Sequence, residues 1–107
     1  MIYALNLFNL VAGREDAYRE YSAKAGKLIY GLGGRVVCSG HKPIRHLTTD
    51  GVERSCFIVV EFPSPEAFEK FHAPAQYQIV HRLRETSTQD YIWVLFEPWD
   101  LQKWMNE

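Results

Sequence analysis

The chain has 107 residues, enough for one domain with a real core but near the size at which a single layer of secondary structure leaves apolar surface uncovered. Apolar residues make up 47% of it and aromatic residues 14%, which excludes a disordered segment. The formal net charge is -1, with Lys and Arg scattered among acids, which argues against nucleic acid and against a membrane surface as partners.

Ile2 to Leu10 reads as a first strand. The apolar run from Met1 to Ala12 lacks a basic leader, contains Asn6 and Asn9, and is too short to span a bilayer. After Gly13, the residues Tyr18, Tyr21, Ala25, Leu28 and Leu32 step by three and four, which predicts an amphipathic helix over 14–32. Gly33-Gly34 closes it, because glycine takes the left-handed conformation that ends a helix. A second strand begins at Arg35-Val36-Val37, is interrupted near Gly40 to Pro43, and is expected to resume through Ile44 to Thr48. Asp50-Gly51 is then the turn into a third strand, Arg54 to Phe62, and this hairpin would set Arg45 rather than Cys38 opposite Cys56.

Ser64 caps a short helix with Pro65 at its first position and Glu66 near its positive end, turning Phe68 and Phe71 inward. His72 at its end is expected to contact the carboxyl terminus of that helix. Pro74 re-aims the chain into a second segment, Ala75 to Glu85, whose buried side is read as Ile79, Val80 and Leu83. Thr86 to Gln89 are expected to form a loop, and Tyr91 to Phe96 a fourth strand.

The order strand, helix, strand, strand, helix, strand gives a ferredoxin-like α+β sandwich, a four-stranded antiparallel sheet with both helices on one side, over residues 1–98. Phe57, Val59, Ile92, Val94 and Phe96 then share one face, and Ile58, Val60, Trp93 and Leu95 the other. Helices cover only one face, so the second should pair with another copy and make a homodimer, for which about 800 Å² per partner suffices. The tail at 99–107, with Trp99, Leu101, Trp104 and Met105, is too apolar for a free end and is expected to pack on the partner.

Several residues have the chemistry of a site without forming a complete motif. Tyr77, His81 and Arg84 share a helical stripe by their i, i+4, i+7 spacing. There Arg84 would hold an oxyanion, His81 move a proton near neutral pH, and Tyr77 donate to a carbonyl. The same stripe is also what a polar helix edge looks like, with Arg84 paired to Glu61 or Glu85. Asn6 is an amide among apolar residues and must find a hydrogen-bond partner, either at a pocket or on a bulge in the adjacent strand. Asn6 and Trp93 are the candidate ligand contacts, Trp93 as part of an aromatic wall.

His41 and His46, with Cys38 nearby, do not supply the converging ligands that a metal requires. No phosphate loop, dinucleotide fingerprint, nucleophile triad or carboxylate pair is present, so no cofactor is expected. Cys38 and Cys56 read as buried, reduced strand residues, which places the chain in the cytoplasm.

Gly33-Gly34-Arg35, Glu61-Phe62-Pro63-Ser64, Tyr77-Gln78 and Leu83-Arg84 resemble the domain-of-unknown-function thirteen-thirty family of the dimeric α+β barrel superfamily, from about Tyr3 to Pro98. The resemblance implies a ferredoxin-like homodimer with a pocket between sheet and helices, and no agreed activity. Superfamily relatives include cofactor-independent monooxygenases, haem-degrading enzymes, lactone isomerases and stress-related proteins. Two stretches depart from the family pattern: Ser39-Gly40-His41 stands where Arg-Gly-Gly is usual, and Pro74-Ala75-Gln76 where Ser-Pro-Glu is usual. An anion-binding arginine is thereby not carried over, and His41 and His81 are the local candidates to replace it. The expected function is binding of a small carbonyl or aromatic compound, with or without cofactor-independent proton transfer or monooxygenation. The competing expectation is a non-catalytic binding or assembly domain.

Overall fold

The computed structural model describes residues 1–107, the side chain of Gln76 excepted. Strand β1 (Ile2–Leu10) leads to helix α1 (Glu15–Gly31), strand β2 (Arg35–His41) and strand β3 (Cys56–Phe62). Helix α2 (Pro65–His72), a single 3₁₀ turn at Ala75–Tyr77 and helix α3 (Gln78–Ser87) precede strand β4 (Thr88–Phe96) and a short α4 (Leu101–Met105). The four strands form one antiparallel sheet in the order β2-β3-β1-β4, a ferredoxin-like α+β fold.

Register sorts the faces. Ile2 opposes Phe62, Ala4 opposes Val60, and Asn6 lies between Ile58 on one side and Trp93 on the other. Every second residue of β1, namely Ile2, Ala4, Asn6 and Phe8, is buried beneath the helices. From α1, Tyr21 and Ala25 meet them, and Phe68 and Phe71 arrive from α2. The opposite face is open: Phe57, Val94 and Phe96 are 37%, 39% and 50% exposed.

Local chemistry explains most boundaries. Gly33 closes α1 at φ +82, and Gly34 must be glycine because a Cβ there would sit 2.8 Å from both the Glu61 carbonyl oxygen and the Ile29 side chain. Ser64 Oγ accepts from the Ala67 amide at 3.1 Å and starts α2, with Pro65 following.

Five expectations are corrected. Strand β2 does not resume at Ile44 to Thr48. Lys42 turns at φ 55, Pro43 has no amide to give a ladder, and residues 42–55 run as a loop without helix or strand. Side chains hold that loop instead. Asn9 donates to the Glu53 carbonyl at 2.8 Å and accepts from the Ser55 amide at 2.9 Å, while Arg54 reaches the Asp90 carbonyl at 2.6 Å. His41, not Arg45, therefore faces Cys56.

Cys38 is exposed rather than buried, because β2 is the sheet edge. Ile79 is 76% exposed and His81 is buried, so the inward face of α3 is carried by His81 with Val80 and Leu83. Residues 86–89 make no loop: Ser87 Oγ donates to the Leu83 carbonyl, and Thr88 Oγ1 donates to the Arg84 carbonyl at 2.7 Å. These hydroxyls satisfy the last carbonyls of α3, so the chain passes directly from helix into β4.

Candidate functional site

Between α1 and the sheet lies a cavity of about 100 Å³. Its walls are aromatic, with Tyr18 and Tyr21 from α1, Phe71 from α2, and Tyr91 and Trp93 from β4. Asn6 is the amide among them. Its Nδ2 donates to the Ile58 carbonyl of the adjacent strand at 3.3 Å and to the Ala4 carbonyl at 3.4 Å, and its Oδ1 accepts from the Tyr91 hydroxyl at 2.5 Å. Three phenols stay protonated here. Burial pushes Tyr21 up to about 12, and Tyr18 and Tyr91 are raised by the same desolvation, against the opposing charge of Arg84.

Arg84 reaches into this wall from α3. Its guanidinium carbon stands 4.6 Å from the centre of the Trp93 ring and 4.8 Å from that of Tyr91, and its side chain is only 12% exposed. The acid nearest it is Glu85, at 3.8 Å and itself largely exposed, since Glu61 is taken by Arg35 at 2.9 Å. The charge of Arg84 is therefore held mainly by two aromatic faces, a contact that strengthens when water is excluded.

Beside it, His72, Gln78, His81, Arg82, Arg84 and Glu85 line a more open, polar depression of about 270 Å³. His81 is 9% exposed, and its Nε2 lies 2.9 Å from the Phe71 carbonyl. A carbonyl only accepts, so Nε2 carries the proton and Nδ1 keeps a lone pair with no partner among the described residues. Burial lowers the pKa of this imidazole, with Arg84 and His72 acting in the same direction against the Phe71 carbonyl and Glu85. The expected contact of His72 with the end of α2 is thus made by His81. His72 instead stacks on Phe68, with ring centres 5.2 Å apart.

The structure brings Asn6 and Trp93 to the inner cavity and His81 and Arg84 to the polar depression, with Trp93 under Arg84 between them. Tyr77 is half-buried at the end of the 3₁₀ turn and is not among the residues lining either hollow. His41 lies at the far end of β2, against Cys56 and Lys42. Tyr91 was missed by sequence reasoning, although its position two residues before Trp93 puts it on the same face of β4. Among the described residues, no group of three or more His, Cys, Asp and Glu side chains is placed to hold a metal, and no helix is long and apolar enough to cross a membrane.

Comparison with solved structures finds the same fold. A protein of unknown function from Rhodopseudomonas palustris aligns at 22% identity over 92% of this chain and 82% of that one, with a TM-score of 0.79. A dimeric ferredoxin-like protein of unknown function from Jannaschia aligns at 18% identity over 91% and 98%, with a TM-score of 0.67. SnoaB, a cofactor-independent oxygenase from Streptomyces nogalater, aligns at 14% identity over 92% and 93%, with a TM-score of 0.62. At these identities the likeness is one of fold. A comparison with curated protein sequences finds no match. The sequence profile described as domain of unknown function (DUF1330) matches residues 3–97, and the chain belongs to that family.

Proposed function

We propose that this protein binds a small planar carbonyl or aromatic compound in the cavity between α1 and the sheet. The observation that carries this reading is the cavity itself, an aromatic-walled space of about 100 Å³ that contains the fixed Asn6–Tyr91 pair. An apolar cavity of ~150 Å³ is known to admit benzene, so the space is on the scale of one six-membered ring. Asn6 and Trp93 contact the ligand, and Arg84 stabilises negative charge on it.

A catalytic form of the same reading is favoured by His81. A neutral imidazole with an unpartnered Nδ1 beside an arginine suits abstraction of a proton from an enolisable substrate, with Arg84 stabilising the oxyanion. The cofactor-independent oxygenase of the same fold supports monooxygenation, with dioxygen as co-reactant, as the chemistry that follows. Tyr77, half-buried and away from both hollows, has no part in this reading.

The assembly we propose is a homodimer through the open sheet face, supported by the exposed Phe57, Val94 and Phe96 and by the dimeric description of the Jannaschia protein. The exposed tail, where Trp99 and Trp104 pack on each other with ring centres 5.4 Å apart, clamps the partner. The unpaired thiols Cys38 and Cys56 support a cytoplasmic location.

The test is a thermal-shift screen of small aromatic acids and carbonyl compounds on the wild type and on Ala25→Leu, which narrows the cavity beneath α1. A ligand at a hundredfold its dissociation constant adds about 2.7 kcal/mol, and the narrowed variant should lose that gain. Equal stabilisation of both proteins would place the ligand elsewhere. A wild type that responds to no compound, with a dimer that dissociates on loss of the sheet-face residues, would make this an assembly domain.

A further inference from the structure

Three buried side-chain polar atoms lack a hydrogen-bond partner among the described residues: His81 Nδ1, Arg84 Nε and Trp93 Nε1. Buried polar atoms are nearly always paired, so each such group calls for a reason. These three are not scattered. Arg84 lies over the Trp93 ring at 4.6 Å, His72 packs edge-on to Trp93 at 5.3 Å and to His81 at 5.8 Å, and Phe71 touches both His81 and Trp93. They therefore occupy one patch where α3 crosses β4, between the aromatic cavity and the polar depression.

Their hydrogen-bonding sense is mixed. Arg84 Nε and Trp93 Nε1 only donate, whereas His81 Nδ1, with Nε2 committed to the Phe71 carbonyl, only accepts. The charged groups that line the depression, Arg82 and Arg84 against Glu85, leave it positive. We infer that this patch holds the polar end of the ligand: Arg84 and Trp93 donate to a carboxylate or carbonyl oxygen, and His81 Nδ1 accepts from a hydroxyl of the same molecule.

The ligand class is thus a hydroxylated aromatic acid or carbonyl compound, its ring in the cavity and its oxygens at the patch. This rests on the cavity being the binding site, as proposed above. Neither a bare hydrocarbon nor a simple carboxylate would pair all three atoms, and a site built to pair a hydroxyl discriminates strongly against an analogue that lacks it.

The experiment measures dissociation constants of toluene, benzoate, the three hydroxybenzoate isomers and their methyl ethers by heteronuclear NMR titration. The proteins are the wild type, Arg84→Met and His81→Gln. Glutamine keeps a donor for the Phe71 carbonyl and moves the acceptor from the Nδ1 position to the amide oxygen, so the variant separates the ligand contact from the helix contact. In the wild type, one hydroxybenzoate isomer should bind at least about tenfold more tightly than its methyl ether, the scale of one lost hydrogen bond to a buried group. His81→Gln should erase that preference, and Arg84→Met should erase the preference for benzoate over toluene. A methyl ether that binds the wild type as well as its parent, with shifts at cavity residues, overturns the assignment and leaves the cavity reading standing. If no ring compound shifts the cavity residues, the cavity reading falls and this inference with it.

Discussion

Replacing His81 by alanine removes two things at once. The buried ring packs edge-on against Phe71 and His72, with centres 5.1 and 5.8 Å away, and its Nε2–H supplies the Phe71 carbonyl near the end of α2 at 2.9 Å. Stranding a buried carbonyl costs about 1–3 kcal/mol, and aromatic edge contacts add about 0.5–1.5 kcal/mol, so His81→Ala should cost about 2–4 kcal/mol. At an unfolding entropy of about 2.1 cal/mol/K per residue, a chain of this length loses roughly 4 °C per kcal/mol, which puts the fall in melting temperature at about 8–16 °C. His81→Gln, which restores the donor, should cost less than half as much. Calorimetry at one fixed protomer concentration checks both values, since dimerisation would otherwise shift the transition.

The same pair of proteins reads the protonation of the ring. Burial depresses the His81 pKa in the folded state below its unfolded value of about 6.5. As pH falls, the unfolded chain takes up this proton first. Stability from the neutral ring is complete above about pH 6.5 and is lost as pH drops through the folded pKa. The advantage of wild type over His81→Gln should therefore be constant above that pH and shrink below it. Alanine and glutamine costs that match would refute the tautomer assigned to His81, and an advantage that does not change between about pH 7.5 and about pH 5 would refute the lowered pKa.

Other perturbations test the remaining elements. Tyr91→Phe leaves Asn6 Oδ1 buried without its donor and should cost about 1–3 kcal/mol in urea unfolding, whereas pairing it with Asn6→Leu should recover part of that loss. At Gly40, whose φ lies outside the left-handed region, a Cβ would collide with the Phe57 ring on the open sheet face. Gly40→Ala should therefore displace that ring and weaken dimerisation in sedimentation equilibrium with little change in monomer melting. A chain truncated before Trp99 should dissociate at higher protein concentration than the full chain, and unchanged dimer affinity would remove the tail from the interface. Gly26→Ala, whose added Cβ meets nothing within 4 Å, should stabilise α1 by up to about 1 kcal/mol.

The elements that local chemistry specifies were legible in the residues. The apolar run of β1, the three-and-four stepping of α1, the Gly33-Gly34 stop and the Ser64-Pro65 start each act within a few positions, and each element appears where the sequence puts it. The strand order followed because right-handed crossovers leave few alternatives, and with it the division of β3 and β4 into a helix-covered and an open face. Membership of the family rested on short motifs that the profile match over residues 3–97 bears out.

What tertiary structure alone decided lies where two elements meet. The spacing of α3 offers both the Ile79 side and the His81 side as an inward face, and packing on α1 and on the Phe71 carbonyl selects the second. The path of residues 42–55 was settled by Asn9 and Arg54 bonding across the fold rather than by the Asp50-Gly51 pair. Tyr77, His81 and Arg84 share a stripe by spacing, yet the 3₁₀ turn at Ala75–Tyr77 separates the first from the other two. Periodicity encodes which residues share a face of one element. Which face is buried, and which polar atoms are left unpaired there, depends on atoms contributed by distant parts of the chain.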